Sequence, residues 1–418
     1  MKKILIVSEH FYPNNIIGAR RPTKIAKKLY ELGYSVDVFA RYGAENSSDI
    51  CDHLFSFDTL KSGNTASASV SAKRKHGKLY EALYHLITPI NILRNAKTVR
   101  KEFARLLAEN SHLRETKYDA VFSSFGPLSS LLCGLYYKKT HPKTKWICDF
   151  RDPVIVKYIS KPWRPLFRRY EKKACKRADA IVAVSNGYLE RICKGKYAEK
   201  AFMIPNGYDV DDTVFAAEAE VSSEKMRITY VGALYGGDRD LSVLFRVIHE
   251  LVCEGMLNKN KICVSYAGNE YSVMQEQAGK YDLKDVLEDC GMLSRDDCLK
   301  LQFSSQLLLL STWNDTDEYG VFPGKFLEHM LINKPIVSIT NGDLPNGEVT
   351  RVVREGNFGV AYETACDGED YPKLKEYIKE CYNEWVQKES ITHSPKKEVL
   401  ERYDYKTVIQ RIEDLING

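Results

Sequence analysis

Asp317-Glu318-Tyr319-Gly320-Val321-Phe322-Pro323-Gly324-Lys325-Phe326-Leu327-Glu328-His329-Met330 decides how this chain is read. Before it lies the apolar run Gln306 to Leu310, which reads as a buried parallel strand. After it the pattern is helical until Lys334-Pro335, and Ile336-Val337-Ser338-Ile339 is another strand. Strand, loop, helix and strand make one repeat of a doubly wound parallel sheet. In such sheets ligands bind outside the carboxyl ends of the strands, where loops feed helix N-termini whose free N–H groups attract phosphate.

The residue types in this loop suit a nucleotide-sugar. Gly320 and Gly324 let backbone approach a ligand, Lys325 is a point charge for a diphosphate, and Glu318 and Glu328 are acceptors for vicinal hydroxyls. An amphipathic helix with solvated charges would show the same letters. Working backwards, Arg227 to Val231 is a strand, and three glycines follow it, Gly232, Gly236 and Gly237, before Arg239 and a helix starting near Asp240. That is what a diphosphate-binding backbone turn needs. Lys261 to Gly268 is the next strand and turn, and Asp285 to Cys290 a short strand followed by Gly291-Met292-Leu293. Ser294 then caps a helix with Asp297 three residues on. Helices near Tyr371 to Val386 and Tyr405 to Ile416 end the chain.

At 418 residues the chain is too long for one ordinary core, so two domains are expected. No apolar run approaches the roughly 18 residues that span a bilayer, and Ile4 to Val7 is too short for a signal-peptide core, so the expectation is a cytoplasmic protein. The 11 cysteines are scattered without CxxC pairs or alternation with histidine, which speaks against a zinc site or a disulfide framework. Charge is unevenly spread. Met1 to Lys200 holds 38 Lys+Arg against 18 Asp+Glu, and the remainder 23 against 38. A basic first half fits an anionic surface or substrate, such as a membrane leaflet or a lipid diphosphate, or else solvated surface lysines.

In that half, Lys3 to Val7 and Tyr34 to Ala40 are parallel strands joined by a helix from about Arg20 to Leu32, with Pro22 in its first turn. There is no GxGxxG. Arg20 and Arg21 oppose the dipole of that helix, which makes an anionic ligand there more plausible. His10 reads as a structural residue or a base. Ser62 to Ser71 is small and polar, and Lys73 to Lys78 opens a long basic helical stretch interrupted at Pro89. In it Leu79, Leu83 and Leu86 form one apolar stripe and Val99, Phe103, Leu106 and Leu107 another. Such a helix meets a membrane surface or packs on the core. Pro162 to Tyr170 mixes aromatics with arginine as an interfacial anchor would; no RNP, KH or zinc motif points to nucleic acid. Two strands end in Ser123-Ser124-Phe125-Gly126-Pro127 and Asp149-Phe150-Arg151-Asp152-Pro153. The acidic, small-residue segment Asp211 to Glu224 fits an interdomain linker.

Taken in order, Gly18, Asp149-Phe150-Arg151-Asp152-Pro153, Asn206-Gly207, Gly232 and the Lys325/Glu328 loop resemble the family 4-like glycosyltransferases, bacterial surface-polysaccharide type. The resemblance implies an α/β chain of two Rossmann-like, doubly wound parallel-sheet domains facing a cleft, the GT-B fold. It divides the chain into an acceptor-binding domain at 1–208, a linker at 209–225, a nucleotide-sugar-binding domain at 226–390, and a segment at 391–418 that crosses back to the first. Relatives carry two glutamates in the central loop, the first near the transferred sugar and the second on the ribose, which gives those roles to Glu318 and Glu328. Many relatives space them more closely, although a Pro-Ser-Lys-x-x-Glu-Tyr subset resembles Pro323 to His329. Relatives also place an arginine after the first glycine, where this chain has Ala233, so the phosphates fall to Arg239 and Lys325 instead.

Those two residues and Glu318 are the expected catalytic set. The donor would also meet Gly232, Gly236, Gly237, Met292, Leu293 and Gly324. The acceptor would meet Gly18, Arg20, Arg21, Ser124 and Asp152, with an Asp149–Arg151 structural pair as the alternative to a role for Asp152. The implied reaction retains anomeric configuration, uses no metal or other cofactor, and moves a sugar from a nucleoside diphosphate to a lipid-linked or other anionic glycan. The first domain would touch an anionic membrane peripherally, and nucleic acid would not be a partner. A sugar-nucleotide epimerase or a non-catalytic nucleotide-sugar-binding scaffold protein are the other readings of the same architecture.

Overall fold

The apolar runs form strands, and every ladder between them is parallel. A computed structural model describes residues 1–14, 16–43, 49–59, 78–126, 128–156, 159–209 and 224–418. The chain divides into a first unit, Met1–Pro205 with Val408–Gly418, and a second, Asn206–Thr407. The division thus falls before Asn206 rather than after residue 208, and of the segment from 391 onward only the part from Val408 belongs to the first unit. Most of the expected linker, the Ser62 to Ser71 segment and Lys73 to Gly77 lie outside the described residues.

The first unit runs β1 (Lys3–His10), α1 (Ile17–Glu31), β2 (Ser35–Gly43), β3 (His53–Thr59), α2 (Lys78–Glu109), α3 (Ser111–Glu115), β4 (Ala120–Phe125), α4 (Leu128–Thr140), β5 (Lys145–Phe150), α5 (Arg164–Arg177), β6 (Ala180–Ala183), α6 (Asn186–Cys193) and β7 (Ala201–Met203). Its sheet has the order β3-β2-β1-β4-β5-β6-β7. Strand β3 was not foreseen, and α2 runs through Pro89 where an interruption was expected.

The second unit runs β8 (Met226–Val231), α7 (Ser242–Cys253), β9 (Ile262–Ala267), α8 (Tyr271–Gly279), β10 (Leu287–Gly291), α9 (Arg295–Phe303), β11 (Leu307–Trp313), α10 (Gly324–Ile332), β12 (Ile336–Asn341), α11 (Glu348–Gly356), β13 (Gly359–Glu363), α12 (Asp367–Lys388) and α13 (Lys397–Leu400). The last helix, α14 (Tyr405–Asn417), ends in the first unit. The second sheet has the order β10-β9-β8-β11-β12-β13. In both sheets the first strand lies between the second and fourth of its unit, which is the Rossmann order, and the chain reverses direction of travel beside it. Those switch points are β1/β4 and β8/β11.

Leu93, Ala96, Val99, Phe103 and Leu107 of α2 are buried in the first core, with the Phe103 ring 4.7 Å from Phe39. Each of the larger ones, Leu93, Val99, Phe103 and Leu107, contributes about 1.5–3 kcal/mol. This apolar stripe therefore packs on the core. Trp163, Leu166 and Tyr170 also lean on it, so the aromatics read as an interfacial anchor belong to the fold. Lys2 and Lys145 donate to the carbonyls of Ile416 and Leu415, closing the C-terminal end of α14 with positive charge. No helix among the described residues is long and apolar enough to cross a membrane.

Candidate functional site

At the switch point of the second unit two cations lie side by side. Arg239 is 8% exposed; its Nη1 donates to the Tyr230 hydroxyl at 3.3 Å and to the Ala233 carbonyl at 3.2 Å. Its guanidinium stacks 4.7 Å from the Tyr235 ring and 5.3 Å from the Trp313 ring, and its Nε, buried, has no hydrogen-bond partner among the described residues. Lys325 projects from the first turn of α10 and donates to the Val231 carbonyl, its Nζ 5.7 Å from the centre of the Tyr230 ring. Tyr230 thus carries both cations. Burial, then Arg239, push the Lys325 ammonium down to about 8, with Glu328 opposing the shift. Neither cation forms an ion pair among the described residues.

Gly232 makes room for this. It follows β8 at φ +118°, and a Cβ there would fall on Lys325 Nζ. The N-terminus of α10 has no side-chain cap among the described residues, and a Cβ at Gly324 would meet open space. An uncapped helix start with a lysine in its first turn, where a cation is unfavourable, favours an anion.

The glycine-rich turn is organised differently from expectation. The Glu270 carboxylate accepts from the N–H groups of Leu234 (2.6 Å), Tyr235 (3.0 Å) and Gly236 (2.7 Å). Gly232 N–H goes to Ala267 and Gly237 N–H to Leu234. The backbone donors of Gly232, Gly236 and Gly237, expected to hold phosphate, are therefore taken by the chain's own acceptors. An internal carboxylate occupies the nest. Sequence reading missed Glu270; its position at the carboxyl end of β9, beside β8, was the available signal.

Met292 is 76% exposed in the turn after β10, an apolar side chain open to a ligand face, and Leu293 beside it is half-buried. Glu328 is half-buried on α10, one turn after Lys325, with Arg295 Nη2 at 3.9 Å. Glu318, also half-buried, lies in the loop after β11, where its N–H donates to Asp315 Oδ1 at 2.9 Å. The expectation of a metal-independent reaction drew support from the lack of an Asp-x-Asp motif; that reading is corrected, because two such triplets, Asp238-Arg239-Asp240 and Asp315-Thr316-Asp317, flank this region. In each, one carboxylate caps a turn: Asp240 accepts from Ser242 N–H at 2.8 Å and Asp315 from Asp317 N–H at 3.1 Å.

In the first unit several expected acceptor residues have structural work. Arg21 is fully buried: its Nε and Nη2 hold Asp149 at 2.8–3.1 Å, and its Nη1 and Nη2 donate to the carbonyls of Pro205 and Ile204. The anion that a cation in α1 called for is Asp149. Ser124 is buried too and donates to Asp149 Oδ2 at 2.9 Å. Neither Arg21 nor Ser124 faces an acceptor, and the structural pair is Arg21–Asp149 rather than Asp149–Arg151.

Arg151 has another task. Pro22 lies inside α1 and lacks an N–H, which leaves the Gly18 carbonyl, four residues back, without its helical donor. Arg151 Nη1 supplies one. Its guanidinium also fills the space a Cβ on Gly126 would need. Gly18 therefore accommodates Arg151. Arg20 is exposed, and Asp152 has a 53% exposed side chain with Arg151 Nη2 at 3.7 Å; both remain open to solvent.

At the carboxyl ends of β1 and β2 lies a cluster the sequence did not reveal. Buried Glu9 accepts from Asn95 Nδ2 at 2.9 Å and from Ser129 Oγ, with Arg41 Nη1 at 3.7 Å. His10 stacks on Tyr42 with ring centres 5.0 Å apart and accepts from Asn14 Nδ2 at 3.0 Å. Burial holds His10 below its usual pKa, Glu9 opposing and Arg151 and Arg41 assisting, which keeps the ring neutral near pH 7.

Residues 19–212 match the family described as Glycosyltransferase Family 4. No curated protein matches the chain in sequence. Among solved structures the chain is similar to sucrose-phosphate synthase from Thermosynechococcus elongatus, with 16% identity and a TM-score of 0.60 over 99% of this chain and 98% of that one. It is similar to the lipopolysaccharide outer core galactosyltransferase WaaB, with 13% identity and a TM-score of 0.59 over 100% and 99%. A Listeria monocytogenes protein assigned as a UDP-N-acetylglucosamine 2-epimerase shares the fold at 12% identity and a TM-score of 0.51 over 100% and 96%. At these identities the structural likeness speaks for the fold, and the family match speaks for the activity. The chain is a glycosyltransferase of the GT-B fold whose amino-terminal unit carries the Glycosyltransferase Family 4 domain.

Proposed function

We propose that the chain moves a sugar from a nucleoside-diphosphate sugar to a hydroxyl of a lipid-linked or other anionic glycan in surface-polysaccharide assembly. The observation that carries this reading is the pairing of buried Arg239 and half-buried Lys325 on Tyr230, two cations without a carboxylate partner among the described residues. Holding like charges together in a poorly solvated place is unfavourable, and a diphosphate relieves it. As the sugar leaves, charge grows on that diphosphate, and cations already in place stabilise it without reorganising. Arg239, Lys325 and the start of α10 take the role a divalent cation has in other transferases, so no metal is assigned to the reaction. The departing diphosphate itself accepts the acceptor's proton, and configuration is retained. Glu328 binds the ribose, Met292 and Leu293 cover the base, and Glu318 meets the transferred sugar. On the first unit, Arg20 and Asp152 meet the acceptor.

Peripheral attachment to an anionic membrane on its cytoplasmic face belongs to the same reading. It is supported by the outer side of α2, where Arg94, Lys97 and Lys101 are exposed beside Ile87 and Ile90.

A panel of nucleotide-sugars screened by thermal shift identifies the donor through the stabilisation a bound ligand gives. Product analysis with and without a glycan acceptor then tests the chemistry. Nucleoside diphosphate release that depends on acceptor, with kcat/KM reduced about 10²–10³-fold in Lys325→Ala, is the expected result. An isomerised donor formed without acceptor would instead mean an epimerase.

A further inference from the structure

We propose that Asp37, His53 and His112 form a binding site for a divalent transition-metal ion of the zinc class, away from the transfer chemistry. The three come from different elements: Asp37 from β2, His53 from the edge strand β3 directly opposite it in the ladder, and His112 from the short helix α3. Their ligand atoms lie within 4.8 Å of one another. His53 Nδ1 is 2.9 Å from Asp37 Oδ1, and His112 Nε2 is 2.7 Å from Asp37 Oδ2. The two imidazoles stand 4.2 Å apart and both stack near Phe55, whose ring is 6.0 Å from each. Ring orientation is thereby fixed with one nitrogen of each histidine aimed at the same carboxylate.

Two imidazole nitrogens and one carboxylate oxygen are a donor set zinc accepts, at about 2.0–2.2 Å. Ligand atoms of a tetrahedral centre of that size are about 3.4 Å apart, so a small outward shift of the partly exposed histidines admits an ion. Asp37 is buried and anchored by the Tyr118 hydroxyl, which donates to Oδ2 at 2.5 Å. That hydrogen bond would orient the carboxylate behind the metal. Solvent on the outer side of the histidines supplies the remaining coordination. Asp37 is the third residue of β2, toward the amino end of the strand, whereas Glu9, His10 and Arg41 stand at the carboxyl ends. The ion's consequence is therefore structural: it ties the edge strand and α3 to the sheet.

The test uses the full chain stripped with a chelator, with Zn²⁺ and Co²⁺ as probes, beside the double variant His53→Gln/His112→Gln. Glutamine retains an N–H donor for Asp37 while removing the imidazole ligands. Wild type is expected to take up one more equivalent of zinc than the variant. It should show the visible absorption of tetrahedral Co²⁺, and its melting temperature should rise by about 5 °C at 100-fold excess over Kd. Equal zinc uptake by the two proteins, or no stoichiometric uptake by either, overturns the proposal.

Discussion

The two units have the same strand order, yet they treat charge at their switch points in opposite ways. In the first, Arg21 is answered by Asp149, Ser124 and two carbonyls, and Arg151 by the carbonyl that Pro22 sets free. In the second, Arg239 and Lys325 share a tyrosine and have no carboxylate partner among the described residues. The first arrangement is complete without a ligand. The second, on the proposed reading, is completed by an anion. The difference teaches that a buried cation at the end of a strand is not by itself a binding residue; what matters is whether the chain supplies its counter-charge.

The comparison breaks most visibly at Arg21. Arg21→Ala leaves Asp149 buried without its cation, which should cost about 3–5 kcal/mol in chemical denaturation. A loss below about 1 kcal/mol would mean that the pair is not structural. Glu270 comes next. Glu270→Ala removes one acceptor from three N–H groups and should cost about 1–3 kcal/mol. Because the loop carrying Arg239 loosens, KM for the donor should rise more than kcat falls. An unchanged KM would confine Glu270 to a folding role.

Lys325→Met should behave in the opposite sense to Arg21→Ala. Stability stays level or rises by about 1 kcal/mol, because a poorly solvated charge is gone, while transfer falls about 10²–10³-fold, as in Lys325→Ala. Its pH signature follows from the direction of the shift. The folded-state ammonium titrates near 8, below its ordinary 10.5, so the unfolded chain binds more protons between those values. The unfavourable contribution is fully present below about pH 8 and is relieved as pH rises toward 10.5. Wild type should gain stability across that window relative to Lys325→Met, and parallel profiles would contradict the assignment.

Much of this was legible in the sequence, for identifiable reasons. Unbroken apolar runs such as Ile4 to Val7 and Leu307 to Leu310 are too short for ordinary helices and read as central parallel strands, so both sheets followed from them. Strand β3, His53-Leu54-Phe55-Ser56-Phe57-Asp58-Thr59, was hidden because an edge strand alternates polar and apolar residues over a short stretch. Arg239 and Lys325 could be found because each stands at a fixed offset from a glycine after a strand. The fate of Arg21 could not, since its partner Asp149 is 128 residues away and Arg20, its neighbour, points outward. Glu9 was hidden for the same reason: Arg41, Asn95 and Ser129 meet it only once β1, β2, α2 and α4 are assembled. Pairings across elements are invisible in a string of residues, whereas turns are local.

The most direct measurement is isothermal titration of a nucleoside diphosphate into wild type, Lys325→Met, Arg239→Met and the double variant at pH 7. The account predicts that each single change weakens binding at least tenfold. Because one diphosphate bridges both cations, it also predicts that the double change costs less than the sum of the two. Affinity equal to wild type in the double variant would contradict it.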